Sequence, residues 1–262
     1  MGNSDKRHLS ENTSTLVSSE IPIYVISLAD EKSRKDFLKS QFTDYFDKFL
    51  FVEAIDFRRK ALNDIRGLYK QCVHNRKQPL TPTEIACSLS HVKALKQFLE
   101  TSHKRCMILE DDILGRDADI DFLLEVMQPI RHGLFLLGGQ EGMKNSKYLC
   151  GYKNNAYFYS IPELARIFLY RTCCYSVDRY WAQRIIEEQD TCLKRADDWH
   201  HLTKSRKDIF LLKVLKHPVE LNNSYIQAER SLLRDNFASL VYRNTIKIYL
   251  SLLVMLNKFN KI

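Results

Sequence analysis

The chain has 262 residues, of which 45% are apolar and 27% charged, and its formal net charge is +8. This length allows one large domain with small appendages, and the composition excludes a wholly disordered chain. There is no apolar run of about eighteen residues, which excludes a membrane-spanning helix. The excess of basic residues indicates an anionic partner, such as a nucleotide, a phosphorylated lipid, an anionic membrane or a nucleic acid.

The cysteines are scattered apart from the adjacent Cys173 and Cys174, and no CxxC pair is present. This pattern is a poor disulfide framework and a poor zinc site. We therefore expect reduced thiols and a cytoplasmic protein. Residues 1–20 are polar and lack the apolar segment of a signal peptide, so we interpret them as a flexible N-terminal segment.

From residue 21 onward, short apolar runs alternate with amphipathic stretches. The apolar runs predict strands at residues 21–28, 49–54, 106–109, 134–137 and 173–177. The amphipathic stretches predict helices that end near Tyr45, that run from Thr81 to about Ser102, and that cover residues 122–130 and 179–188. Strands that alternate with helices predict an α/β layered fold.

The helix that begins at Thr81 has the clearest start signal in the chain. Thr81 is suited to cap the helix, Pro82 occupies the first helical position, and Glu84 occupies the third. Thr81 and Glu84 therefore predict a capping box, in which each side chain accepts a hydrogen bond from the other residue's backbone.

The acidic triplet Glu110-Asp111-Asp112 follows directly after the apolar strand at residues 106–109. Three adjacent carboxylates repel one another, and a divalent cation such as Mg²⁺ or Mn²⁺ would relieve that repulsion. Ligands of open α/β sheets bind beyond the carboxyl ends of the strands, where this triplet is expected to lie. The triplet by itself is equally consistent with a metal–diphosphate site and with a solvated acidic turn.

Six ordered segments resemble the motifs of glycosyltransferase family 25, the bacterial lipooligosaccharide galactosyl- and glucosyltransferases and their relatives. The segments are Tyr24–Leu28 with Arg34 following, Phe51–Asp56, Leu80–His91, Ile108–Asp112, Arg171–Ile186 and Ala196–Trp199. The chain departs from the family in two ways. It has Thr83, Ala86 and Phe57 where Gly is common, and Ser27 where Asn is usual.

The resemblance implies a GT-A-like fold, in which helices flank a Rossmann-type sheet that binds a nucleotide-sugar. It also implies a UDP-hexose donor, a divalent metal (Mn²⁺ or Mg²⁺), a lipooligosaccharide acceptor and inversion at the anomeric carbon. Such a reaction requires that the charge on the leaving diphosphate is neutralised, that a carboxylate removes the acceptor proton, and that the two sugars are held in line.

On this basis the metal is assigned to Asp112, with Asp111 and His217 as further candidate ligands. The residues assigned to the nucleotide-sugar are Ser27, Leu28, Arg34, Asp56, His91, Glu110 and Asp111.

Several of these residues have a structural alternative. His217 could be an uncoordinated surface histidine. His91 could orient an acidic ligand, which its place in a family-like segment favours, or make a hydrogen bond inside the core. Arg34 could pair with a surface acid, and Asp56 could cap a turn.

The acceptor side is assigned to Asp197-Asp198-Trp199, because a carboxylate beside an aromatic ring suits a sugar. We expect Asp198 to be the catalytic base, with Asp197 as the second candidate. The alternative for these acids is a helix cap that precedes a core tryptophan. His200 and His201 follow directly, but their spacing does not favour a separate metal site.

We divide the chain into the segment 1–20, a catalytic domain at 21–229 and a basic amphipathic helical segment at 230–262. The last segment is too short and interrupted to span a membrane, and lysines flank its apolar part. It is therefore expected either to lie on an anionic membrane or to pack on the core or a second copy. The oligomeric state stays open.

Two alternatives to an active transferase follow from the sequence. The net charge and the aromatic content would suit a nucleic-acid-binding module, but no reader motif such as a zinc finger or an RNP pattern is present, so we expect no nucleic-acid partner. An inactive transferase homologue acting as a scaffold is disfavoured by the intact acidic triplet and by Asp197-Asp198.

Overall fold

The computed structural model describes residues 21–65, 67, 80–143, 145–218 and 237–262. The predicted flexible segment 1–20 and the beginning of the predicted C-terminal segment, residues 230–236, lie outside the described residues. The boundary predicted near residue 229 stays a prediction for the same reason.

The described residues form seven α-helices and nine strands. The strands are β1 Ile23–Ser27, β2 Leu50–Glu53, β3 Arg105–Glu110, β4 Leu134–Gly138, β5 Cys150–Lys153, β6 Tyr159–Ser160, β7 Cys174–Asp178, β8 Ile209–Leu215 and β9 Asn260–Lys261. The helices are α1 Lys32–Gln41, α2 Leu62–Ile65, α3 Pro82–Leu99, α4 Asp117–Met127, α5 Arg179–Thr191, α6 Trp199–Leu202 and α7 Phe237–Met255.

The strands form one sheet in the order β2-β1-β3-β7-β4-β8-β6-β5-β9. Strands β2, β1 and β3 run parallel to one another, and β4 runs parallel to β8. Strand β7 lies between β3 and β4 and is antiparallel to both. The carboxyl ends of β1, β2, β3, β4 and β8 therefore meet at one edge of the sheet, and β7 begins there.

Both faces of the sheet are covered, as expected for buried parallel strands. In β1 the side chains of Tyr24 and Ile26 point into one apolar layer, and those of Ile23 and Val25 point into the other. Helices α3 and α5 contribute to the first layer, and α1 and α4 to the second. The predicted α/β sheet flanked by helices is confirmed.

Helix α3 begins as the sequence predicts. The Thr81 hydroxyl accepts a hydrogen bond from the backbone N–H of Glu84 at 3.2 Å, and the Glu84 carboxylate accepts one from the N–H of Thr81 at 3.0 Å. Both bonds of the predicted capping box are present. This cap fixes the end of α3 that faces the carboxyl edge of the sheet.

Strands β5, β6, β8 and β9 were not predicted from the sequence. The first six residues of β8, Ile209–Val214, are mostly apolar, so β8 carried a signal that could have been recognised. The strands β5, β6 and β9 have only two to four residues, too few for a periodicity to be seen.

One cysteine departs from the expectation that all thiols are reduced. The cysteines without a disulfide among the described residues are Cys87, Cys106, Cys150, Cys173 and Cys174, whereas Cys192 is disulfide-bonded. The prediction that all thiols are reduced is therefore wrong at Cys192. Sequence spacing gives little information about such a bond, because the fold decides which cysteines meet.

Helix α7 confirms the predicted helical C-terminal segment over its described part. Ile246 and Leu250 on one face are buried and belong to the same apolar layer as the buried side chains of α3 and α5. No described helix is both long enough and apolar enough to cross a membrane.

Gly138 ends β4 with a backbone φ of 149°, a conformation that side chains disfavour. A Cβ atom at this position would overlap the backbone carbonyl of Leu215 at the end of β8. The backbone N–H of the next residue, Gly139, donates to that same carbonyl at 3.0 Å. The absence of a side chain therefore allows β8 to approach the end of β4.

We predict that Gly138→Ala lowers the free energy of unfolding by about 3 kcal/mol or more, because it combines a strained backbone with a clash against β8. Urea denaturation followed by circular dichroism measures this change. Gly67→Ala is the matched control, since a Cβ added at Gly67 would have no atom within 4 Å. Equal stability of the two variants would contradict the steric role of Gly138.

Candidate active site

A cleft of about 470 Å³ lies at the carboxyl edge of the sheet. The ends of β1, β3 and β8, the loop after β2, the start of β7 and the first turns of α3 all contribute to its lining. This is the edge at which open α/β sheets bind ligands. All the residues assigned from the sequence, except Asp198 and Trp199, line this cleft.

The acidic triplet occupies the end of β3 at the centre of the cleft lining. Glu110 is the last residue of the strand, and its N–H donates to the carbonyl of Cys173 at 2.8 Å. Asp111 and Asp112 follow in a turn. The partners of the three carboxylates come from several parts of the chain, and Arg34 contacts both Asp111 and Asp112.

Glu110 accepts a hydrogen bond from the Thr172 hydroxyl at 2.7 Å, and its Oε1 lies 3.2 Å from His91 Nε2. His91 Nδ1 lies 3.1 Å from the hydroxyl of the buried Tyr175. Burial by itself would raise the pKa of Glu110, but the interactions with His91 and Thr172 lower it to about 2. Glu110 is therefore an ionised carboxylate, and His91 both contacts it and extends the hydrogen-bonded chain into the core.

Asp111 is the buried member of the triplet and contacts Arg34 of α1. The Arg34 guanidinium donates to Oδ1 of Asp111 at 3.0 Å and lies 3.7 Å from Oδ2 of Asp112. Burial raises the pKa of Asp111, while Ser27 and Arg34 oppose that rise. Arg34 thus neutralises part of the negative charge of the triplet. Its 3.0 Å ion pair is with the buried Asp111 and not with a surface acid, which was the alternative.

Asp112 faces His217, which follows the end of β8. His217 Nε2 lies 3.4 Å from Asp112 Oδ2, and His217 Nδ1 lies 2.8 Å from the carbonyl of Pro218. The pairing is set by two backbone hydrogen bonds between Leu114 and Lys216, of 2.8 and 2.9 Å, which hold the chain after β8 beside the chain after the triplet. His217 is buried, so it is not the surface histidine of the alternative interpretation.

The Asp112–His217 pair fits a divalent cation. Asp112 Oδ1 is buried and has no hydrogen-bond partner among the described residues, a costly state for a carboxylate oxygen. A carbonyl can only accept, so Nδ1 of His217 carries a proton and Nε2 faces Asp112 either protonated or with a free lone pair. Burial lowers the pKa of His217, but the interaction with Asp112 outweighs it and the net shift is upward. A cation bound between Asp112 and His217 would occupy the position of a proton on Nε2 of His217.

Asp56, in the loop after β2, lines the cleft as part of an exposed charge network. Arg58 donates to Asp56 at 2.7 Å and to Asp30 at 2.9 Å. The hydrogen bond from Arg58 is the largest influence on Asp56 and lowers its pKa. Ser27 and Leu28 line the cleft beside this network. The geometry brings the nucleotide-binding candidates to one cleft, and their roles stay predictions.

The two candidate bases occupy different surroundings. Asp197 lines the cleft, and its Oδ2 accepts a hydrogen bond of 3.4 Å from the backbone N–H of Arg171. Asp198 lies outside the cleft lining at the start of α6, and its Oδ1 is 2.7 Å from His201 Nδ1. Position therefore favours Asp197 over the expected Asp198.

The interpretation of Trp199 as a sugar-binding ring is wrong. Trp199 is 1% exposed, its ring packs edge-on against Tyr175, and its indole N–H donates to the Arg171 carbonyl at 2.9 Å. It is the core tryptophan of the alternative interpretation. Together with Asp197 it holds the backbone of Arg171 from both sides, so its contribution to the site is structural.

Arg171 is a cleft residue that the sequence analysis did not single out. It has a left-handed backbone with a φ of 60°, which is uncommon for a residue with a side chain. Its guanidinium donates to the carbonyls of Gly139 and Glu141 at 2.7 and 2.8 Å. Arg171 therefore fixes the loop after β4 to the start of β7. The only indication of Arg171 in the sequence was that it begins the segment Arg171–Ile186, which resembles a motif of the family.

A family model described as "Glycosyltransferase family 25 (LPS biosynthesis protein)" matches residues 20–161, which is more than half of the chain. The chain is similar to the crystal structure of A197 from STIV at 11% identity and a TM-score of 0.40, covering 76% of this chain and 85% of that chain. It is also similar to the crystal structure of mannose-1-phosphate geranyltransferase from Thermus thermophilus at 11% identity and a TM-score of 0.36, covering 81% of this chain and 64% of that chain. A search of curated proteins found no match.

Proposed function

Because the chain belongs to glycosyltransferase family 25, we propose that it moves a hexose, galactose or glucose, from a UDP-sugar to a lipooligosaccharide acceptor. Family membership supports a glycosyltransferase of lipopolysaccharide biosynthesis. The donor, the inverting course and the use of Mn²⁺ or Mg²⁺ are parts of the proposal. The observation that carries it is the buried oxygen of Asp112 beside His217, which has no hydrogen-bond partner in the described part of the chain and lies at the sheet edge where a nucleotide-sugar would bind.

On this proposal Asp112 and His217 hold the cation, with Asp111 behind them. The cation would neutralise the charge that develops on the leaving diphosphate. Arg34, already between Asp111 and Asp112, adds a fixed positive charge beside that position. Thr172 and His91 keep Glu110 ionised and oriented, so that it can accept hydrogen bonds from the nucleotide. Ser27, Leu28 and Asp56 complete the nucleotide side of the cleft.

We assign the base to Asp197, which accepts the proton of the acceptor hydroxyl as that oxygen attacks the anomeric carbon. Asp197 is held by the backbone N–H of Arg171, one residue before Thr172, the hydrogen-bond donor to Glu110. The proposed base and the proposed donor site are therefore joined through two successive residues. A short connection of this kind suits a reaction that depends on the relative position of two sugars.

Replacing Asp112 tests the proposed function. We predict that Asp112→Asn lowers metal-dependent release of UDP by about 100-fold or more, because a neutral amide is a poor cation ligand. The assay measures UDP release from a panel of UDP-sugars against Mn²⁺ concentration, with and without lipooligosaccharide. Asp190→Asn, which changes an exposed acid on α5, is the control and should keep full activity. A fully active, folded Asp112→Asn enzyme would refute the metal role.

Two single variants separate the candidate bases. We predict that Asp197→Asn lowers kcat by about 10²- to 10⁴-fold while the KM for the donor changes little, because general-base catalysis is lost and donor contacts remain. Asp198→Asn, which changes a residue outside the cleft lining, should stay within a few-fold of the unmodified enzyme. If Asp198→Asn lost far more activity than Asp197→Asn, Asp198 would be the base.

Helix α7 gives the proposed enzyme a surface for its lipid-linked acceptor. The helix and the residues after it carry four basic side chains and no acidic one over residues 237–262. Opposite its buried face, several apolar side chains are about half exposed or more: Val241, Tyr242, Ile248, Tyr249, Leu252 and Met255. An apolar face flanked by basic residues is typical of a helix that lies in the interface of an anionic membrane. On this proposal the enzyme acts at the inner face of the cytoplasmic membrane.

We predict that the double variant Ile248→Asp/Met255→Asp lowers sedimentation with phosphatidylglycerol-containing vesicles by at least about 10-fold, since two apolar side chains are lost and two acids are added. UDP release from the donor alone should be retained, because α7 does not line the cleft. Phe37→Asp changes a half-exposed apolar residue on α1 and is the control. Unchanged sedimentation of the double variant would rule out α7 as the membrane surface.

A further inference from the structure

A second set of potential metal ligands lies at the inner end of the cleft, apart from Asp112 and His217. Cys87 and His91 are four residues apart on α3, and Glu110 ends the neighbouring strand β3. One ligand atom from each of the three lies within 4.8 Å of the other two. Among the described residues, this is the group in which side chains capable of holding a metal come closest together.

The spacing of Cys87 and His91 places both side chains on one face of the helix. Two ligands at positions i and i+4 of a helix are a usual way to hold a zinc ion. The third ligand comes from a strand whose end is fixed by its hydrogen bond to the β7 side. Two rigid elements therefore supply the three ligands, and small side-chain rotations are enough to bring them together.

The three ligand atoms, which lie within 4.8 Å of one another, would have to move closer together to hold zinc. In a tetrahedral site with bonds of about 2.0 to 2.3 Å, neighbouring ligand atoms are separated by about 3.3 to 3.8 Å. His91 Nε2 and Glu110 Oε1 are already 3.2 Å apart. His91 Nδ1 lies 3.1 Å from the Tyr175 hydroxyl. A partner of this kind on the second ring nitrogen is the usual support for a histidine that binds metal through the first.

The type of ligand separates this group from the proposed cation site. A thiolate and an imidazole favour a borderline-soft ion such as Zn²⁺, whereas the carboxylates of Asp111 and Asp112 favour Mg²⁺ or Mn²⁺. Cys87 and His91 both line the cleft, so a fourth coordination position would face it.

We propose that Cys87, His91 and Glu110 form a zinc site that joins α3 to the end of β3. The site has three protein ligands and a fourth position open to the cleft. It shares His91 and Glu110 with the proposed nucleotide side of the cleft, but it requires only these three side chains and the fold that positions them. Zinc bound to the folded chain also stabilises it by mass action.

The test uses the full chain, freed of metal with a chelator and then titrated with Co²⁺ as a spectroscopic probe for zinc. We expect a near-ultraviolet charge-transfer band from a cobalt–thiolate bond, at one cobalt per chain, and its loss when Zn²⁺ displaces the cobalt. Cys87→Ser should remove the band. Absence of the band in the unmodified chain, or its persistence in Cys87→Ser, would overturn the proposal.

Three further variants locate the bound metal. Cys173→Ser changes another thiol that lines the cleft and should keep the band. Asp112→Asn should also keep it, because the proposed Mn²⁺ site has no sulfur. Cys87→His retains a ligand without sulfur, so it should lose the band and still bind zinc at one ion per chain. A band that depends on Cys173 or on Asp112 would place the metal elsewhere and overturn the assignment.

Discussion

Three adjacent carboxylates at the end of a buried strand determine how the rest of the site is built. Their mutual repulsion, increased by burial, must be offset by groups from outside the strand. The structure offsets it with a different group for each acid: His91 for Glu110, Arg34 for Asp111 and His217 for Asp112. These come from α3, α1 and the residues after β8, which the bridge between Leu114 and Lys216 holds beside the triplet. The fold that brings these three groups together therefore also offsets the repulsion within the triplet.

The sequence predicts the local part of this arrangement well. The capping box of Thr81 and Glu84 and the strand before the triplet depend on neighbouring residues, and both are found where they are expected. The pairing of Asp112 with His217 depends instead on the bridge between Leu114 and Lys216, which joins distant parts of the chain. Sequence could suggest His217 as a ligand, but it could not show which acid it would meet.

Other features could not be predicted, because adjacent residues of the same chemistry differ only in the direction of their side chains. Asp197 and Asp198 have the same chemistry, and the start of the short helix α6 decides which one faces the cleft. The same turn sends Trp199 into the core, where it supports Arg171 and cannot contact a sugar. Which of these side chains faces the cleft depends on the residue at which α6 begins, and the start of a helix cannot be predicted from composition to within one residue.

The arginines that line the cleft have a consequence for how substrates arrive. Arg34, Arg58 and Arg195 each pair with a carboxylate, and Arg171 donates to backbone carbonyls. The lining also carries more acids than arginines, namely Asp56, Glu84, Glu110, Asp111, Asp112 and Asp197. The cleft therefore does not share the +8 of the whole chain, and we expect long-range attraction to contribute little to capture of an anionic nucleotide. If α7 lies on an anionic membrane as proposed, its basic residues would orient the whole molecule toward that surface before any substrate is bound.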